Sequence, residues 1–340
     1  MIADKIHTGT ILEIQRMSTE DGPGLRTTVF FKGCGLRCSW CHNPESLEKK
    51  PELQWIESRC IGCRTCLESC PRGALTFSES GIVINRDTCD GCGMCAGECP
   101  STALEVLGKV WSVDKLVDEV IRDAPYFGAS GGVTASGGEA ALQAPVVAEF
   151  FRELNRRGIH TALDTSGHCP WKSLEMILPY ADLVLYDIKE IDPLKHRKFT
   201  GAGNELILEN LTRVAEYIRE HVLPREMWIR TPIIPGATDR ADNITGIGLW
   251  IAGNLDGVAT RWELCAFNNL CRDKYRRLGK EWIFGGSRLM SRQTLDELTA
   301  AAKSSGVDQD IVFCTGTAGI QDAAVGAGQS RRDKKRTPPC

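Results

Sequence analysis

Two rhythms of apolar and polar positions divide this chain. Arg26-Thr-Thr-Val-Phe-Phe-Lys32 is dense in β-branched and aromatic residues and predicts a buried strand. Residues 8 to 33 as a whole read as a loop leading into that strand, with Asp21-Gly22-Pro23-Gly24 as a turn signal. From residue 109 onward short apolar runs alternate with helical spacing. Ser112 is placed to cap a helix through Asp123, with Leu116, Val117, Val120 and Ile121 on one face. Gly131 to Glu139 reads as a short strand ending in a glycine turn, and further strands are predicted over 160–165, 183–189, 228–234 and 261–267. Helices are predicted between them at about 145–157, 171–179, 192–219 and 239–253. Ser291 caps a last helix, and Asp310-Ile-Val-Phe-Cys314 reads as a final strand. Repeated β-α units imply a parallel sheet with right-handed crossovers. Six such units fit an α/β fold, a partial (β/α)6 TIM-like barrel, better than a closed eight-stranded one.

The cysteines change this picture. The chain has 340 residues and 16 cysteines, and eleven of them lie between Cys34 and Cys99. A long chain without an export signal is not a disulfide scaffold, so the clustering points to metal in a reducing compartment. Cys34, Cys38 and Cys41 follow the first strand at spacing C-x3-C-x2-C. Three thiolates can hold three irons of a four-iron cluster and leave the fourth open for chemistry. The alternatives are a zinc loop short of a ligand, or unrelated core thiols. His42 directly follows Cys41, which is awkward for a tetrahedral site.

Residues 52–108 carry an internal repeat with a period of 29, from Cys60 to Cys89. Cys60-x2-Cys63-x2-Cys66-x3-Cys70-Pro71 is followed by Cys89-x2-Cys92-x2-Cys95-x3-Cys99-Pro100. Both runs resemble the bacterial ferredoxin signature, in which the fourth cysteine serves the other cluster. That resemblance groups Cys60, Cys63, Cys66 and Cys99 about one 4Fe-4S cluster, and Cys89, Cys92, Cys95 and Cys70 about a second. Paired zinc sites would not need the x3 step and following proline in both halves. The expected organisation is therefore 1–51, start of the barrel with its cysteine loop; 52–108, an inserted bacterial ferredoxin-like domain; 109–320, the rest of the barrel; and 321–340, a flexible tail.

Net charge is −3, so no global field recruits nucleic acid or an acidic membrane. The basic run at 331–336 reads as a solvated tail, no stretch has membrane-spanning length, and a cytoplasmic protein is expected.

Each predicted strand ends in polar or glycine residues. Gly137-Gly138-Glu139 follows the second strand and Asp164-Thr165-Ser166-Gly167 the third. Asp187-Ile188-Lys189 ends the fourth, Arg230 lies in the fifth, and Asn268-Asn269 ends the sixth. In parallel barrels this is the face on which sites form. Glycine turns expose backbone to a close ligand, and the charges suit a zwitterion.

Taken together these residues resemble the radical S-adenosylmethionine activating enzymes of glycyl radical enzymes. The resemblance rests on Gly24-x-Arg26, Phe30, Gly33-Cys34, Cys38, Cys41 and Asn43-Pro44-Glu45. Gly131 to Glu139, Asp164-Thr-Ser-Gly167, Asp187-Ile-Lys189 and Arg230-x-Pro-x-Ile-Pro-Gly236 continue it, from about 10 to 320. The eight-cysteine insert resembles the subgroup with two auxiliary clusters. The resemblance implies that S-adenosylmethionine chelates the open iron of Cys34, Cys38 and Cys41. One electron would then yield methionine and a 5′-deoxyadenosyl radical, which takes a hydrogen from a glycine Cα of a partner glycyl radical enzyme.

Carried over by motif, Trp40 and His42 flank the cofactor. Gly137, Gly138 and Glu139 meet its amino group, and Lys189 and Arg230 its carboxylate or ribose side. Asp187-Ile188-Lys189 enters as a motif, and Asp164, Thr165 and Asp187 are alternatively placed to hold a monovalent cation. Asp21 would face the incoming glycine peptide. The family commonly has a histidine at the sixth strand end, where this chain has Asn268. The insert implies a flavodoxin or ferredoxin as electron donor, and a monomer is expected. The competing readings are a radical enzyme acting on a small molecule, a ferredoxin-type electron carrier, and a zinc-binding interaction module. Cys265 and Cys271 read as core or loop thiols, and Cys169, Cys314 and Cys340 are unassigned.

Overall fold

A computed structural model describes residues 7–255 and 257–319. Its first strands are β1 (Thr8–Ser18) and β2 (Arg26–Phe31). The insert holds β3 (Glu52–Trp55), β4 (Leu75–Ser78), β5 (Gly81–Ile84) and β6 (Leu104–Leu107), and β7 (Lys109–Ser112) follows. The remaining strands are β8 (Gly132–Gly137), β9 (His160–Thr165), β10 (Leu183–Asp187), β11 (Glu226–Ile233), β12 (Ala259–Ala266) and β13 (Val312–Thr315). Nine of these form one sheet in the order β13-β12-β11-β10-β9-β8-β2-β1-β7. From β2 through β8 to β13 every neighbouring pair is parallel, while β1 pairs antiparallel with β2 and β7. The sheet is open between β7 and β13, so it makes an incomplete barrel. The α/β fold and the mostly parallel sheet agree with the sequence expectation.

The parallel strands are buried for the reason their composition suggests. Every residue of β2 is buried, and β10 is buried over Leu183–Tyr186. Helices cover the outer face, as a parallel sheet requires. Helix Ala144–Asn155 puts Val147, Phe150, Phe151 and Leu154 wholly out of water. Each such side chain contributes about 1.5–3 kcal/mol. In β11 burial alternates, so Met227, Ile229, Thr231 and Ile233 are buried in the layer below, while Arg230 lies on the other face.

Two expectations are corrected. Thr8–Ser18 is not a loop but an eleven-residue strand. It is half exposed, and only Ile11 in it is a fully buried apolar side chain. Pairing with β2 and β7 holds it, and that is not a local signal. The helical region from 192 to 219 is two helices, Pro193–Thr200 and Glu205–Glu220. Asp192 caps the first by accepting from Leu194 N and Lys195 N, and Gly201 ends it at φ +84°. That left-handed conformation suits glycine and stops a helix. Asn204 then donates to the carbonyls of Glu190 and Ile191, which sets the second helix on its own axis.

The insert leaves and rejoins the barrel between β2 and β7. Its two small sheets pair β3 with β6 and β4 with β5. Lys32, at the end of β2, points into this junction with none of its side chain exposed. Its Nζ donates to the Glu45 carbonyl at 2.5 Å and to Glu52 Oε2 at 3.1 Å. Among the described residues no helix is long and apolar enough to cross a membrane. The basic run, the tail 321–340 and Cys340 lie outside the described residues.

Candidate functional site

The cysteine loop leaves β2 and is anchored by backbone hydrogen bonds on both sides. Gly33 N and Cys34 N donate to the Ser46 and Leu47 carbonyls at 2.6 and 3.1 Å. Arg37 N and Ser39 N donate to the Thr200 and Phe199 carbonyls at 2.7 and 2.9 Å. Trp40 is buried against Phe199, with ring centroids 5.9 Å apart. The loop is thus built rigidly before any ligand arrives.

A cavity of about 540 Å³ opens where the parallel strands end. Such a volume accommodates a cofactor-sized molecule. Cys34, Cys38 and Cys41 line it, together with Trp40 and His42. Gly137 and Gly138 reach it from β8, and Asp164 and Thr165 from β9. Asp187 and Lys189 reach it from β10, Arg230 from β11, and Asn268 from the end of β12. One cavity therefore brings together residues spread over more than two hundred positions of sequence.

Three expected site residues are not in its lining. Ile188 is buried, with 1% exposure. The Glu139 carboxylate is fully buried and already occupied. It accepts from Thr165 Oγ1 at 2.7 Å, Ser166 N at 2.9 Å, Ser166 Oγ at 2.7 Å and Ala141 N at 3.3 Å. It ties the β8 turn to the β9 turn. The Asp21 carboxylate accepts from Ser18 and Thr28 hydroxyls at 2.5 and 2.7 Å, inside the β1–β2 turn. Its neighbour Glu20 lines the cavity instead, and the Glu20 carbonyl accepts from Arg230 Nη2 at 3.3 Å. Glu20, Cys265 and Phe267 were not singled out from the sequence as cavity residues. Their places depend on how β1 folds over the interior and on the inward phase of β12.

The charges on the strand ends form a connected set. Lys189 Nζ donates to Asp187 Oδ2 at 2.5 Å. Arg230 lies 3.6 Å from both Asp164 and Glu263, and its Nε has no hydrogen-bond partner. His42 Nε2 is likewise buried without a partner. Unpaired buried polar atoms beside a cavity mark a place where a ligand completes the hydrogen bonding. Burial works against the Lys189 ammonium, but Asp187 and its neighbours outweigh it and hold the group above its ordinary value. Burial lifts the Cys34, Cys38 and Cys41 thiols to about 12, so loading metal there displaces their protons.

Asp164 carries a testable consequence. Burial raises its carboxyl to about 6, against the pull of Arg230 and with Asp187 adding to the rise. The folded chain therefore holds this proton more tightly than the unfolded chain, whose carboxyl titrates near its ordinary value of about 3.9. Stability from this group is present below about pH 4 and is lost as pH rises through about 6. Denaturant titrations are expected to show that decline in the native chain and a flatter profile in Asp164→Asn. Equal slopes would show that Asp164 titrates normally.

In the insert the structure groups cysteines crosswise. One small cavity is lined by Cys60, Cys63, Cys66 and Cys99, and a second by Cys70, Cys89, Cys92 and Cys95. Ala74 N donates to Cys70 Sγ and Ala103 N to Cys99 Sγ, each at 3.3 Å. Backbone donors on sulfur suit thiolates. Among the described residues no group of His, Cys, Asp or Glu converges on single-ion geometry.

Comparison with known proteins agrees with this chemistry. Residues 85–244 match the family described as "Radical SAM superfamily", and residues 59–103 match "4Fe-4S dicluster domain". The (2S)-3-sulfopropanediol dehydratase activating enzyme of Klebsiella oxytoca is 40% identical over 80% of this chain and 86% of its own. The indoleacetate decarboxylase activating enzyme of Tractidigestivibacter scatoligenes is 36% identical over 87% and 95%. The choline trimethylamine-lyase activating enzyme of Oleidesulfovibrio alaskensis is 35% identical over 86% and 94%. The fold and cavity thus define a radical S-adenosylmethionine enzyme. Within that class, the chain belongs to the activating enzymes of glycyl radical enzymes, and it uses S-adenosylmethionine with a 4Fe-4S cluster.

Proposed function

We propose that this chain installs a glycyl radical on a partner enzyme from the cavity at the strand ends. The observation that carries the proposal is that one cavity joins the three loop cysteines to the polar ends of β8–β12. The residues fit the groups they would hold. Three free thiols of one loop line the cavity, with Cys265 apart from them on the β12 wall, and Arg230 and His42 present unpaired nitrogens to it. When bound, the cluster supplies one electron, and S-adenosylmethionine supplies the adenosyl carbon that removes hydrogen from a glycine Cα.

The chain itself binds, orients and excludes water. Cys34, Cys38 and Cys41 hold the open-site cluster. Trp40 and His42 wall the cofactor, and the Gly137–Gly138 backbone meets its amino group. Glu139 acts on that edge by fixing the Thr165–Ser166 turn. Lys189 and Arg230 bring positive charge to its carboxylate and ribose side, and Asn268 stands at the sixth strand end. Asp164, Thr165 and Asp187 offer oxygens for a monovalent cation beside it. Asp21 braces the turn that presents Glu20, and Ile188 packs beneath Asp187 and Lys189. The insert holds two further clusters through the crosswise cysteine sets, so the loaded chain carries three. A flavodoxin or ferredoxin delivers electrons, and the protein acts as a monomer in the cytoplasm.

The partner is a glycyl radical enzyme. Relatives at nearly equal identity serve dehydratase, decarboxylase and lyase partners, so the shared chemistry is the radical installation itself. The test is anaerobic reconstitution, reduction, and assay of 5′-deoxyadenosine together with the glycyl radical signal on a partner. A fully loaded, reduced chain that cleaves no S-adenosylmethionine would overturn the reading.

Gly138 provides a sharper check on the cavity edge. A Cβ there would lie 2.4 Å from the Gly33 oxygen and 2.9 Å from the Ser46 oxygen, both backbone. Gly138→Ala must therefore push β8 away from the cysteine loop, at about 1–3 kcal/mol of strain. Weaker S-adenosylmethionine binding with retained iron is expected by equilibrium dialysis. Unchanged affinity would show that this edge does not meet the cofactor.

A further inference from the structure

One stretch outside every motif joins the insert to the cysteine loop. Residues 271–284 follow β12 and include the helix Arg272–Arg277. Tyr275 Oη donates to the Cys41 carbonyl at 2.9 Å, and Trp282 Nε1 donates to the Ser39 carbonyl at 3.2 Å. Lys274 Nζ bonds Asn43 Oδ1 at 2.8 Å and pairs with Glu45 at 2.9 Å. The Tyr275 and Trp282 rings stack with centroids 5.3 Å apart, so the two donors are held as a unit.

The same stretch meets the insert at Leu278. Arg86 Nη2 donates to the Leu278 carbonyl at 3.1 Å, while Nη1 donates to the Leu53 carbonyl at 2.7 Å. Among the described residues this is the one side-chain hydrogen bond from residues 60–99 to the barrel. Arg86 stands three residues before Cys89, in the second half of the repeat.

The repeat makes the asymmetry plain. Gly62 and Gly91 occupy equivalent places, one period apart. A Cβ on Gly62 would meet nothing within 4 Å, but one on Gly91 would lie 2.3 Å from the Pro51 oxygen. Among the described residues Glu57, equivalent to Arg86, makes no side-chain hydrogen bond to the barrel. The two halves share their cysteine spacing but differ in what they touch: Arg86 and Gly91 of the second half lie against Leu278 and Pro51 of the barrel chain, whereas the barrel contact of the first half is made at its start, by Glu52 to Lys32.

We infer that the Cys70, Cys89, Cys92 and Cys95 set is the barrel-facing site of the insert. Arg86 is its positioning residue, registering it through Leu278 and the Tyr275–Trp282 pair against the Cys41 end of the loop. The inference rests on the reading that both insert sets hold four-iron clusters. It orders the sites for an electron entering through the insert, with the second set last before the loop. A reduced flavodoxin or ferredoxin loses one electron, the loop site gains one, and the insert sites end unchanged.

The test is EPR relaxation of the open-site signal in the reconstituted, fully reduced holoenzyme, with no partner present. A nearby paramagnet speeds relaxation steeply with proximity. Cys92→Ser is expected to slow relaxation of that signal several-fold, and Cys63→Ser to leave it unchanged. Arg86→Ala, with all cysteines retained, is expected to slow it in part, and Arg86→Lys to restore it. Should Cys92→Ser lose both insert clusters, the Arg86 pair decides. Slowing by Cys63→Ser but not Cys92→Ser, or an Arg86→Ala chain indistinguishable from the native one at full iron content, overturns the order alone. An insert that takes up no iron or sulfide overturns the underlying reading and the order with it.

Discussion

Cys38→Ala is expected to abolish S-adenosylmethionine cleavage while the insert keeps its iron. Cys38 is one of the three loop thiols on the cavity, and the loop has no fourth cysteine to replace it. A cluster held by two thiolates does not persist, so the group that delivers the electron goes with it. The loss is expected to be roughly a thousandfold or more, the scale seen when one member of a concerted catalytic unit is removed. Iron content should fall by about one third, one four-iron cluster among the proposed three. The assay is 5′-deoxyadenosine formation under strong chemical reduction, with iron and sulfide measured in parallel. Substantial turnover by Cys38→Ala would remove the open-site cluster from the mechanism. A large iron loss would instead show that the loop and the insert assemble together.

Lys32→Ala is expected to be the most destabilising single change outside the cysteines. The Lys32 ammonium is fully buried, and it satisfies both the Glu52 carboxylate and the Glu45 carbonyl. Removing it leaves a buried charge and a buried acceptor unpaired, which costs about 3–5 kcal/mol. Burial itself lowers the Lys32 ammonium below its ordinary value, with Glu52 opposing, so the pair is held against a real desolvation penalty. The damage should also reach the cysteine loop. Glu45 sits in the short turn Pro44–Ser46, and the Ser46 carbonyl receives Gly33 N. Equilibrium unfolding checks the first effect, and the iron content of the loop site checks the second. A loss below about 1 kcal/mol would mean that water reaches the pair and that the junction is not dry. Lys32→Met combined with Glu52→Leu should recover much of the loss, because matched apolar groups leave no orphaned charge.

Much of what the cavity gathers is legible in the sequence, and the reason differs by residue. Cys34, Cys38 and Cys41 are close in sequence, and metal chemistry constrains their spacing. The insert cysteines repeat with a fixed period, so their crosswise grouping followed from a known pattern, and the structure shows the same two sets about two cavities. Asp164, Asp187, Lys189 and Arg230 were found because parallel strands place their C-terminal ends on one face. Glu139 was placed by motif, but its side chain is spent on Thr165 and Ser166 rather than on the cavity. Glu20 carries no sequence signal, because its place on the cavity is set by how the β1–β2 turn lies against Arg230. The segment 271–284 carries no spacing signal at all, yet it supplies hydrogen bonds to the carbonyls of Ser39 and Cys41.

The contrast has one physical origin. Sequence alone determined whatever depends on local periodicity or on fixed ligand spacing. That covers the β-α alternation, the cysteine loop after β2, and the doubled insert with its two sets of four thiols. Only the tertiary structure decided what depends on pairing between distant segments. β1 exists because β2 and β7 bond to it, Glu139 is occupied because the next strand's turn lies against it, and the two insert halves differ because one rests on Pro51 and Leu278. Such pairings are set by the packing of the whole sheet, and no local run of residues encodes them.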